Sequence, residues 1–468
     1  MRVLPPVRPS REQLTILADS RPGFRLIRGA AGSGKTTTAL LRLKQLTRSR
    51  LARQDRLGLR DPVSVLVLTY NKTLEGYIVE LARQQVAADQ RLDLEVSTFS
   101  KWARRLIGPV DILDRDEVTA RLKPNLLRMI RPDQLDFFVD EVEYAVSRFT
   151  PEKLGEYLSK ERTGRGNSPR VDAVLRQRLL DDVIQPYQDA KDAAGVLDWN
   201  DLALGAADIE SEEYDVVIVD EAQDFSANQV RAVLAHLSQN HSTTFVLDAV
   251  QRIYPRFFTW VEVGIALRPN MIYKLEENHR NTAEIAAFAR PLVAGLPLED
   301  DGSLPDFTAC RQTGKRPKVV IGTYSNQLEY MLAELLQHAD LKKESVAILQ
   351  PRGGRWFDYA RATLRRHGIP HCELTRQSVW PSGPEQVGLS TIHSAKGLEF
   401  DHVLIPGLNQ QVTPHGEGEG DATLERLRRL LAMGVGRART SVMVGYKPGE
   451  GSTLIGLLDP ATYDAVRV

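Results

Sequence analysis

The chain has 468 residues, of which 42% are hydrophobic and 26% charged, and this composition is typical of a folded protein with about two to four domains. Lys and Arg number 61, as do Asp and Glu, so the zero net charge excludes a globally basic nucleic-acid binder and leaves room only for a local basic groove. The two cysteines, Cys310 and Cys372, are too few for an iron–sulfur cluster or a cysteine-rich zinc site. We expect a cytoplasmic protein without a membrane partner, because the N-terminus has no apolar signal core and no apolar run reaches membrane length.

A glycine-rich loop stands between the first predicted strand and a long predicted helix. Residues 23–29 read as a short strand, and the apolar residues after Thr36 recur at helical spacing. Between them, residues 29–36 fit the pattern G-x-x-x-x-G-K-[ST], whose backbone N–H groups turn toward a phosphate at the helix N-terminus. Lys35 would reach the β- and γ-phosphates, and Thr36 would offer its hydroxyl to Mg²⁺. The sequence therefore predicts a nucleoside triphosphate site here.

A second half of this site is predicted further along the chain. Residues 63–72 read as a buried strand, residues 100–197 show helical spacing, and residues 213–225 read as another buried strand that ends in acids. Asp220 would hold Mg²⁺ through water, and Glu221 would orient or deprotonate the attacking water. Because parallel strands present their carboxyl ends at one edge of the sheet, these groups should meet there.

The remainder of the chain repeats the α/β pattern. It also carries arginines that are far in sequence from the glycine-rich phosphate-binding loop (P-loop) of residues 29–36. Residues 243–254 predict a third strand, residues 387–407 predict two strands around a polar loop, and residues 424–446 predict a helix followed by a strand. Arg280 and Arg437 follow such elements. A two-lobed ATPase needs cations of this kind from its second lobe, and the alternative for each is an ordinary surface position.

Nine short segments occur in the order typical of UvrD/Rep-type superfamily 1 helicases, and the chain resembles that family over residues 10–446. The segments are SREQLTIL, GAAGSGKT, TYNK, STFS, VDEAQDF, DAVQRIY, LEENHRN, TIHSAKGLEF and MGVGRAR. The resemblance implies an α/β fold class with two RecA-like P-loop NTPase lobes, each built on a parallel sheet. A small helical insertion is expected in the first lobe.

The resemblance also sets expected boundaries. The first motor domain would comprise residues 1–99 and 198–268, the helical insertion residues 100–197, and the second motor domain residues 269–468. Only residues 371–386 stand where larger members carry a second accessory insertion. The chain therefore resembles a minimal member that lacks this insertion.

Roles for single residues follow from the resemblance. The expected catalytic residues are Glu221, Gln251, Arg280 and Arg437. The expected ATP-binding residues are Gln13, Gly29, Gly32, Ser33, Gly34, Lys35, Thr36, Thr37, His279 and Glu399. The expected Mg²⁺ ligands are Thr36 and Asp220. The expected nucleic-acid groove contains Thr69, Tyr70, Asn71, Lys72, Thr98, Phe99, Tyr254, Arg256, Thr391 and His393.

Several of these roles have a physical basis, and some positions depart from the family. The carboxamide of Gln13 can pair bidentately with adenine, and aromatic side chains at strand ends can stack on bases without reading sequence. Core packing is the alternative for Phe99. His279 stands where the family often has a tyrosine, and Arg256 stands where it usually has a tryptophan.

The function implied by the resemblance is an ATP- and Mg²⁺-dependent translocase or helicase on single-stranded DNA, moving 3′ to 5′. The alternative is a nucleic-acid- or nucleotide-sensing regulatory ATPase subunit with little unwinding of its own. Its partner would be a protein such as a nuclease or a repair factor, as in bacterial antiviral systems of the Gabija type.

Overall fold

The computed structural model describes residues 9–29, 32–69, 72, 75–79, 89–162, 169–210, 213–247, 258–276, 278–296, 310–352, 355–375, 377, 380–381, 383–384, 386–416 and 421–468. For residues 278–280, 311 and 422 it describes the backbone alone.

The strands form two large parallel sheets and one small sheet. Their bounds are β1 Gly23–Gly29, β2 Val63–Thr69, β3 Leu92–Thr98, β4 Tyr214–Val219, β5 Leu237–Leu247, β6 Ile272–Leu275, β7 Asn278–Thr282, β8 Cys310–Gln312, β9 Lys318–Ile321, β10 Val346–Gln350, β11 His371–Glu373, β12 Val387–Thr391, β13 Phe400–Ile405, β14 Ala438–Tyr446 and β15 Asp464–Arg467.

The helices mostly begin at a Ser, Thr or Asp whose side chain accepts a hydrogen bond from a backbone N–H group of the first turn. Their bounds are α1 Arg11–Ala18, α2 Lys35–Leu57, α3 Phe99–Ile107, α4 Arg115–Leu126, α5 Leu135–Arg148, α6 Ala173–Leu179, α7 Gln185–Ala194, α8 Trp199–Asp208, α9 Ala227–Ala235, α10 Ala283–Val293, α11 Tyr324–His338, α12 Arg355–Arg366, α13 Ala422–Val435 and α14 Thr453–Gly456.

The first lobe is built on a six-stranded sheet with the order β3-β2-β4-β5-β1-β6. Alternate residues of β2 face opposite sides, so that Val65 and Val67 belong to one core cluster, whereas Leu66 and Leu68 belong to another. Both faces are thus covered, which explains why β2 reads as a continuous apolar run.

The second lobe is built on a seven-stranded sheet with the order β11-β12-β10-β13-β14-β9-β15. Its paired strands are all parallel. One of its faces shares a core cluster with the first lobe, since Val403 and Ile405 belong to the same cluster as Val65 and Leu43. Two parallel-sheet lobes that meet in this way confirm the predicted α/β class and the RecA-like architecture.

The insertion has an apolar core of its own. Residues of α4, α5 and α6 pack together around Phe138, Val142 and Leu179. Inside it the buried carboxylate of Glu141 accepts hydrogen bonds at 2.7 Å from the Arg162 guanidinium and the Tyr157 hydroxyl. The helical pattern predicted for residues 173–195 is interrupted by a π-helical turn over residues 180–184, just before Pro186, which has no N–H to donate.

The structure places the edges of the lobes differently from the sequence expectation. β6 pairs with β1 in register Leu26 to Ile272 through Gly29 to Leu275, so the first sheet continues past residue 268. Trp102 of α3 is fully buried in the first-lobe core, so the insertion begins after α3 rather than at residue 100. Residues 371–386 begin with β11, which pairs with β12, and are therefore not wholly a loop.

Across the described ranges, none of the helices combines the length and the apolar character that a membrane-spanning segment requires.

Candidate active site

The P-loop connects β1 to α2, as the sequence predicts. Gly32 and Gly34 have φ angles of 86° and 77°, which are left-handed values that favour glycine. A Cβ at Gly29 would lie 2.9 Å from the carbonyl oxygen of Leu275, so a side chain has no room there. Lys35 is the first of the 23 residues of α2, whose positive dipole end faces the loop. This is the geometry of a phosphate site at a helix N-terminus.

Gln13 lies beside the P-loop because of the way that α1 begins. Its Oε1 accepts the backbone N–H of Ser10 at 2.9 Å in a capping box, and its Nε2 donates to the carbonyl oxygen of Gly34 at 3.5 Å. A Cβ at Gly34 would lie 2.7 Å from the same Nε2, and the left-handed φ of 77° favours glycine there. Ser33 is buried in the loop, and Thr37 is half-buried in the first turn of α2.

The acidic pair at the end of β4 lies against the P-loop. The Thr36 hydroxyl donates to Oδ2 of Asp220 at 2.8 Å. Asp220 and Glu221 are only 3% and 6% exposed. Glu221 has a φ of 53°, and no other non-glycine residue in the described part of the chain has a positive φ. Such a conformation costs roughly 1–3 kcal/mol and is concentrated at functional sites.

The two carboxylates have opposite pKa shifts. Burial, and then the charge of neighbouring Glu221, raises the pKa of Asp220 to about 7. Burial by itself would also raise the pKa of Glu221, but the positive charges of Lys396, Arg437 and Lys35 outweigh it and hold that pKa below its usual value. Glu221 is therefore charged at neutral pH and can act as a base.

Thr36 and Asp220 fit a Mg²⁺ ion. Both offer oxygen atoms, which Mg²⁺ prefers, and the 2.8 Å between these atoms allows them to share one ion. A divalent cation would also stabilise the charged form of the buried Asp220. When bound, the ion would neutralise charge on the phosphates.

Two cations of the second lobe reach the acidic pair. Lys396, only 1% exposed, places its Nζ 2.6 Å from Oδ2 of the fully buried Asp224 and 3.7 Å from Oε2 of Glu221. Arg437 is 2% exposed and donates from Nη1 to the carbonyl oxygen of Leu398 at 3.4 Å. The site therefore combines a base from one lobe with positive charge from the other.

Lys396 is a site residue that the sequence alone did not indicate. A lysine in a polar loop is usually solvated, so its charge carries no local sign of burial. The available signal is its position in TIHSAKGLEF, between His393 and the half-buried Glu399, both of which are expected ligand-binding residues.

Replacing Lys396 with Met should lower both kcat and stability, because Asp224 would be left as a buried carboxylate without its lysine. Breaking one side of a buried ion pair costs about 3–5 kcal/mol. The measurement is a double-mutant cycle of Lys396→Met and Asp224→Asn, followed by thermal unfolding and phosphate release. The double variant should regain part of the lost stability. Strictly additive losses would show that the two residues do not act as a pair.

His279 and Arg280 lie on β7, whose backbone is described, whereas their side chains are not. The adjacent Asn281 is buried and donates from Nδ2 to the carbonyl oxygens of Gly436 and Ala438, at 3.1 and 2.6 Å. The backbone at Arg280 is thereby held next to the segment that carries the second predicted arginine.

Of the residues expected in the nucleic-acid groove of the first lobe, Thr69, Thr98 and Phe99 are buried. Thr69 is fully buried, and its hydroxyl has no hydrogen-bond partner among the residues that the structure describes. Thr98 caps α3 by accepting a backbone N–H. Phe99 is 3% exposed and packs on Trp102 and Phe225, with ring centroids 5.5 and 5.9 Å apart. Core packing, the alternative for Phe99, is what the structure shows.

The expected groove residues of the second lobe lie at the carboxyl end of β12. The Thr391 hydroxyl donates to the Ser394 hydroxyl at 3.0 Å, which fixes the turn that follows. Burial, together with the positive charges of Arg426 and Lys396, lowers the pKa of His393 to about 4. His393 is therefore neutral at pH 7 and would contact nucleic acid by hydrogen bonding or stacking.

Lys72, also expected in the groove, is exposed. Five predicted positions lie outside the described residues. Those outside are Tyr70, Asn71, Gln251, Tyr254 and Arg256.

The fold and the site together define a class of protein, a two-lobed P-loop ATPase. Sequence comparison identifies the family. The profile of the UvrD/REP helicase N-terminal domain matches residues 10–257, and that of the UvrD-like helicase C-terminal domain matches residues 373–448. The chain belongs to the UvrD/Rep family of superfamily 1 helicases and is an ATP-hydrolysing enzyme of the DNA helicase type.

Two curated relatives align with most of this chain, and a third aligns with a smaller part of it. The ATP-dependent DNA helicase UvrD2 of Mycobacterium tuberculosis is 23% identical, over 89% of this chain and 75% of its own. A probable DNA helicase of Mycoplasma pneumoniae is 22% identical, over 89% of this chain and 79% of its own. The exonuclease/helicase subunit RexA of Lactococcus lactis is 26% identical, over 36% of this chain and 16% of its own.

Proposed function

We propose that the chain is an ATP- and Mg²⁺-dependent translocase that moves 3′ to 5′ along single-stranded DNA in the cytoplasm. The observation that carries this proposal is that the two lobes meet at Glu221, the expected general base. Lys396 and Arg437 of the second lobe surround Glu221 and Asp224 of the first. Hydrolysis then depends on how closely the lobes approach, so each turnover can drive one closure and one opening.

The same closure would act on a nucleic-acid strand that contacts both lobes. Thr69 and Thr98 end strands of the first sheet, and Thr391 ends a strand of the second. Ligands bind at such carboxyl edges in parallel α/β sheets. A strand held at both edges would be moved when the distance between the lobes changes.

The proposal is tested by measuring ATPase activity with and without oligo(dT), together with displacement of streptavidin from biotin at either DNA end. A motor moving 3′ to 5′ should be strongly stimulated by oligo(dT) and should remove streptavidin faster from the 5′ end. Faster removal from the 3′ end would reverse the proposed direction.

A second candidate function is a regulatory ATPase subunit whose state is read by a partner such as a nuclease. The name of one relative supports it, since RexA of Lactococcus lactis is described as a component of an exonuclease/helicase. Oligo(dT) should then stimulate ATP hydrolysis without displacing streptavidin. A pull-down with mass spectrometry should recover a nuclease or a repair protein.

The compact second lobe supports limited unwinding. Only residues 374–386 separate β11 from β12, and a segment of 13 residues is too short to form a second accessory domain there. The alignment with UvrD2 extends over 547 positions but covers only 89% of this chain, so that relative carries long segments that this chain lacks. The missing segments are candidates for the surface that holds a duplex ahead of the motor.

We therefore expect the isolated protein to hydrolyse ATP on single strands but to unwind duplexes poorly. Its affinity should fall steeply with salt, because phosphate contacts would carry most of the binding. The measurement is single-turnover unwinding of a 3′-tailed duplex with an excess of trap strand. Separation of long duplexes by the monomer in one binding event would show that the two lobes suffice.

A further inference from the structure

An aromatic cluster of three residues stands at one end of the second lobe. Tyr324 is the first residue of α11, and Trp356 and Tyr359 belong to the first turns of α12. The Tyr324 ring lies 4.7 Å from the Trp356 ring and 5.7 Å from the Tyr359 ring, at interplanar angles of 59° and 70°. The three rings therefore form one surface although two separate helices carry them.

Hydrogen bonds fix this cluster to the carboxyl edge of the second sheet. Nε2 of Gln350, the last residue of β10, donates to the Tyr324 hydroxyl at 3.1 Å, and that hydroxyl donates to the carbonyl oxygen of Trp356 at 3.3 Å. Gly407, just after β13, has a φ of 74°, and a Cβ there would lie 2.8 Å from the Tyr324 ring. The backbone thus approaches the cluster closely and holds it in place.

The cluster is adjacent to the expected nucleic-acid residues of this lobe. Gln350 pairs with Thr391 across β10 and β12, and its carbonyl oxygen accepts the backbone N–H of Ile392 at 2.9 Å. Neighbouring strands lie about 4.8 Å apart. Gln350 therefore connects the aromatic cluster, through its side chain, to the strand end that precedes His393.

Exposure and charge at the cluster suit a nucleic acid. Tyr359 is 38% exposed and Trp356 is half-buried, so ring surface remains accessible after the local packing. Arg352 and Arg355 are exposed, and Arg355 immediately precedes Trp356 in the sequence.

The acids beside the cluster are already paired. Arg361 of α12 forms ion pairs with Asp358 and with Glu373 of β11. Arg361 compensates one of these two negative charges, and Arg352 and Arg355 add two positive charges in the same stretch of chain, so these five groups sum to a small net positive charge.

We propose that the aromatic cluster is a base-stacking platform for the single strand on the second lobe, with Arg352 and Arg355 contacting its phosphates. This inference rests on the proposed function, because it extends the strand's path from His393 across β10. Aromatic rings stack on every base, so the platform needs no particular sequence. On the first lobe, Arg256 stands in the usual place of a tryptophan and would stack on a base less well than tryptophan. The platform would supply base stacking on the second lobe instead.

The test compares Trp356→Ala and Tyr359→Ala with a matched control, Tyr330→Ala. Tyr330 lies on the same helix as Tyr324, but its hydroxyl accepts a hydrogen bond from Lys318, the first residue of β9, at the opposite edge of the sheet. Each cluster variant should weaken binding of oligo(dT) by about 5- to 150-fold, the range for loss of a stacking aromatic side chain. The control should bind as the wild type does.

The salt dependence separates stacking from charge. Trp356→Ala and Tyr359→Ala should leave the slope of log Kd against log salt unchanged, whereas Arg355→Ala should reduce it by about 1. All variants are checked by their unfolding midpoints. If Trp356→Ala does not fold, the exposed Tyr359 decides the question.

The outcomes distinguish this inference from the proposed function. Wild-type affinity in folded Trp356→Ala and Tyr359→Ala, with oligo(dT) still stimulating the ATPase of the wild type, would overturn the platform alone. A wild-type protein that neither binds oligo(dT) nor responds to it would overturn both. Equal weakening by Tyr330→Ala would assign the effect to general destabilisation and would also overturn the platform.

Discussion

Glu221→Gln should bind ATP with nearly wild-type affinity and should hydrolyse it about 10²–10⁴-fold more slowly, the range for loss of a general base. The reason is the separation of roles within the acidic pair. Thr36 and Asp220 remain in contact at 2.8 Å, so the predicted Mg²⁺ ligands survive the change. The substitution removes only the Glu221 carboxylate, which Lys396, Arg437 and Lys35 hold in its charged form.

The measurement combines phosphate release with an ATP-induced rise in the unfolding midpoint, since a ligand that binds only the folded protein stabilises it. Lys35→Ala provides the contrast, because loss of the phosphate-binding cation should remove both hydrolysis and the ATP-induced stabilisation. Wild-type turnover in Glu221→Gln would mean that another residue activates the water.

Arg437→Ala should lower kcat by about 10³–10⁵-fold, the contribution of an arginine that stabilises charge in a phosphoryl-transfer transition state. ATP affinity should fall much less, because the P-loop that holds the phosphates belongs to the other lobe. Arg437 is buried in the immediate surroundings of Glu221, where low solvent access strengthens its electrostatic effect.

Arg439→Ala is the matched control for this variant. Arg439 lies two residues further along the same segment, its side chain is 35% exposed, and it is 3.7 Å from Asp401, remote from the acidic pair. Single-turnover hydrolysis at saturating ATP should separate the two variants clearly. Equal rates in both would show that Arg437 serves only to anchor the loop through Leu398.

The sequence indicated the features that depend on local pattern. Residues 29–36 and the acids after β4 could be predicted because a phosphate loop and a buried strand each leave a contiguous signature. The buried run of β2 likewise predicted a parallel sheet covered on both faces.

The features that depend on tertiary contacts could not be read in the same way. Lys396 looks like a solvated loop residue until Asp224, from the other lobe, is placed 2.6 Å away. The ring of Phe99 is chemically able to stack on a base, and only its contact with Trp102 shows that it is core. β6 joins the first sheet by pairing with β1, which is distant from it in the sequence. No local periodicity reveals such a pairing.

The strand order of the first sheet also determines when this protein can fold during its synthesis. Among the described strands, β1, which leads into the P-loop, pairs with β5 and β6, and both follow the insertion in the chain. At about 5–20 residues per second, a ribosome needs on the order of 10–40 s to pass from the end of β1 to its first partner strand. The insertion, whose core is drawn from nearby residues, can fold within that interval, whereas the apolar β1 must wait. Nascent chains in this window expose an unpaired strand edge, and chaperones that bind such edges should associate most strongly before β5 emerges.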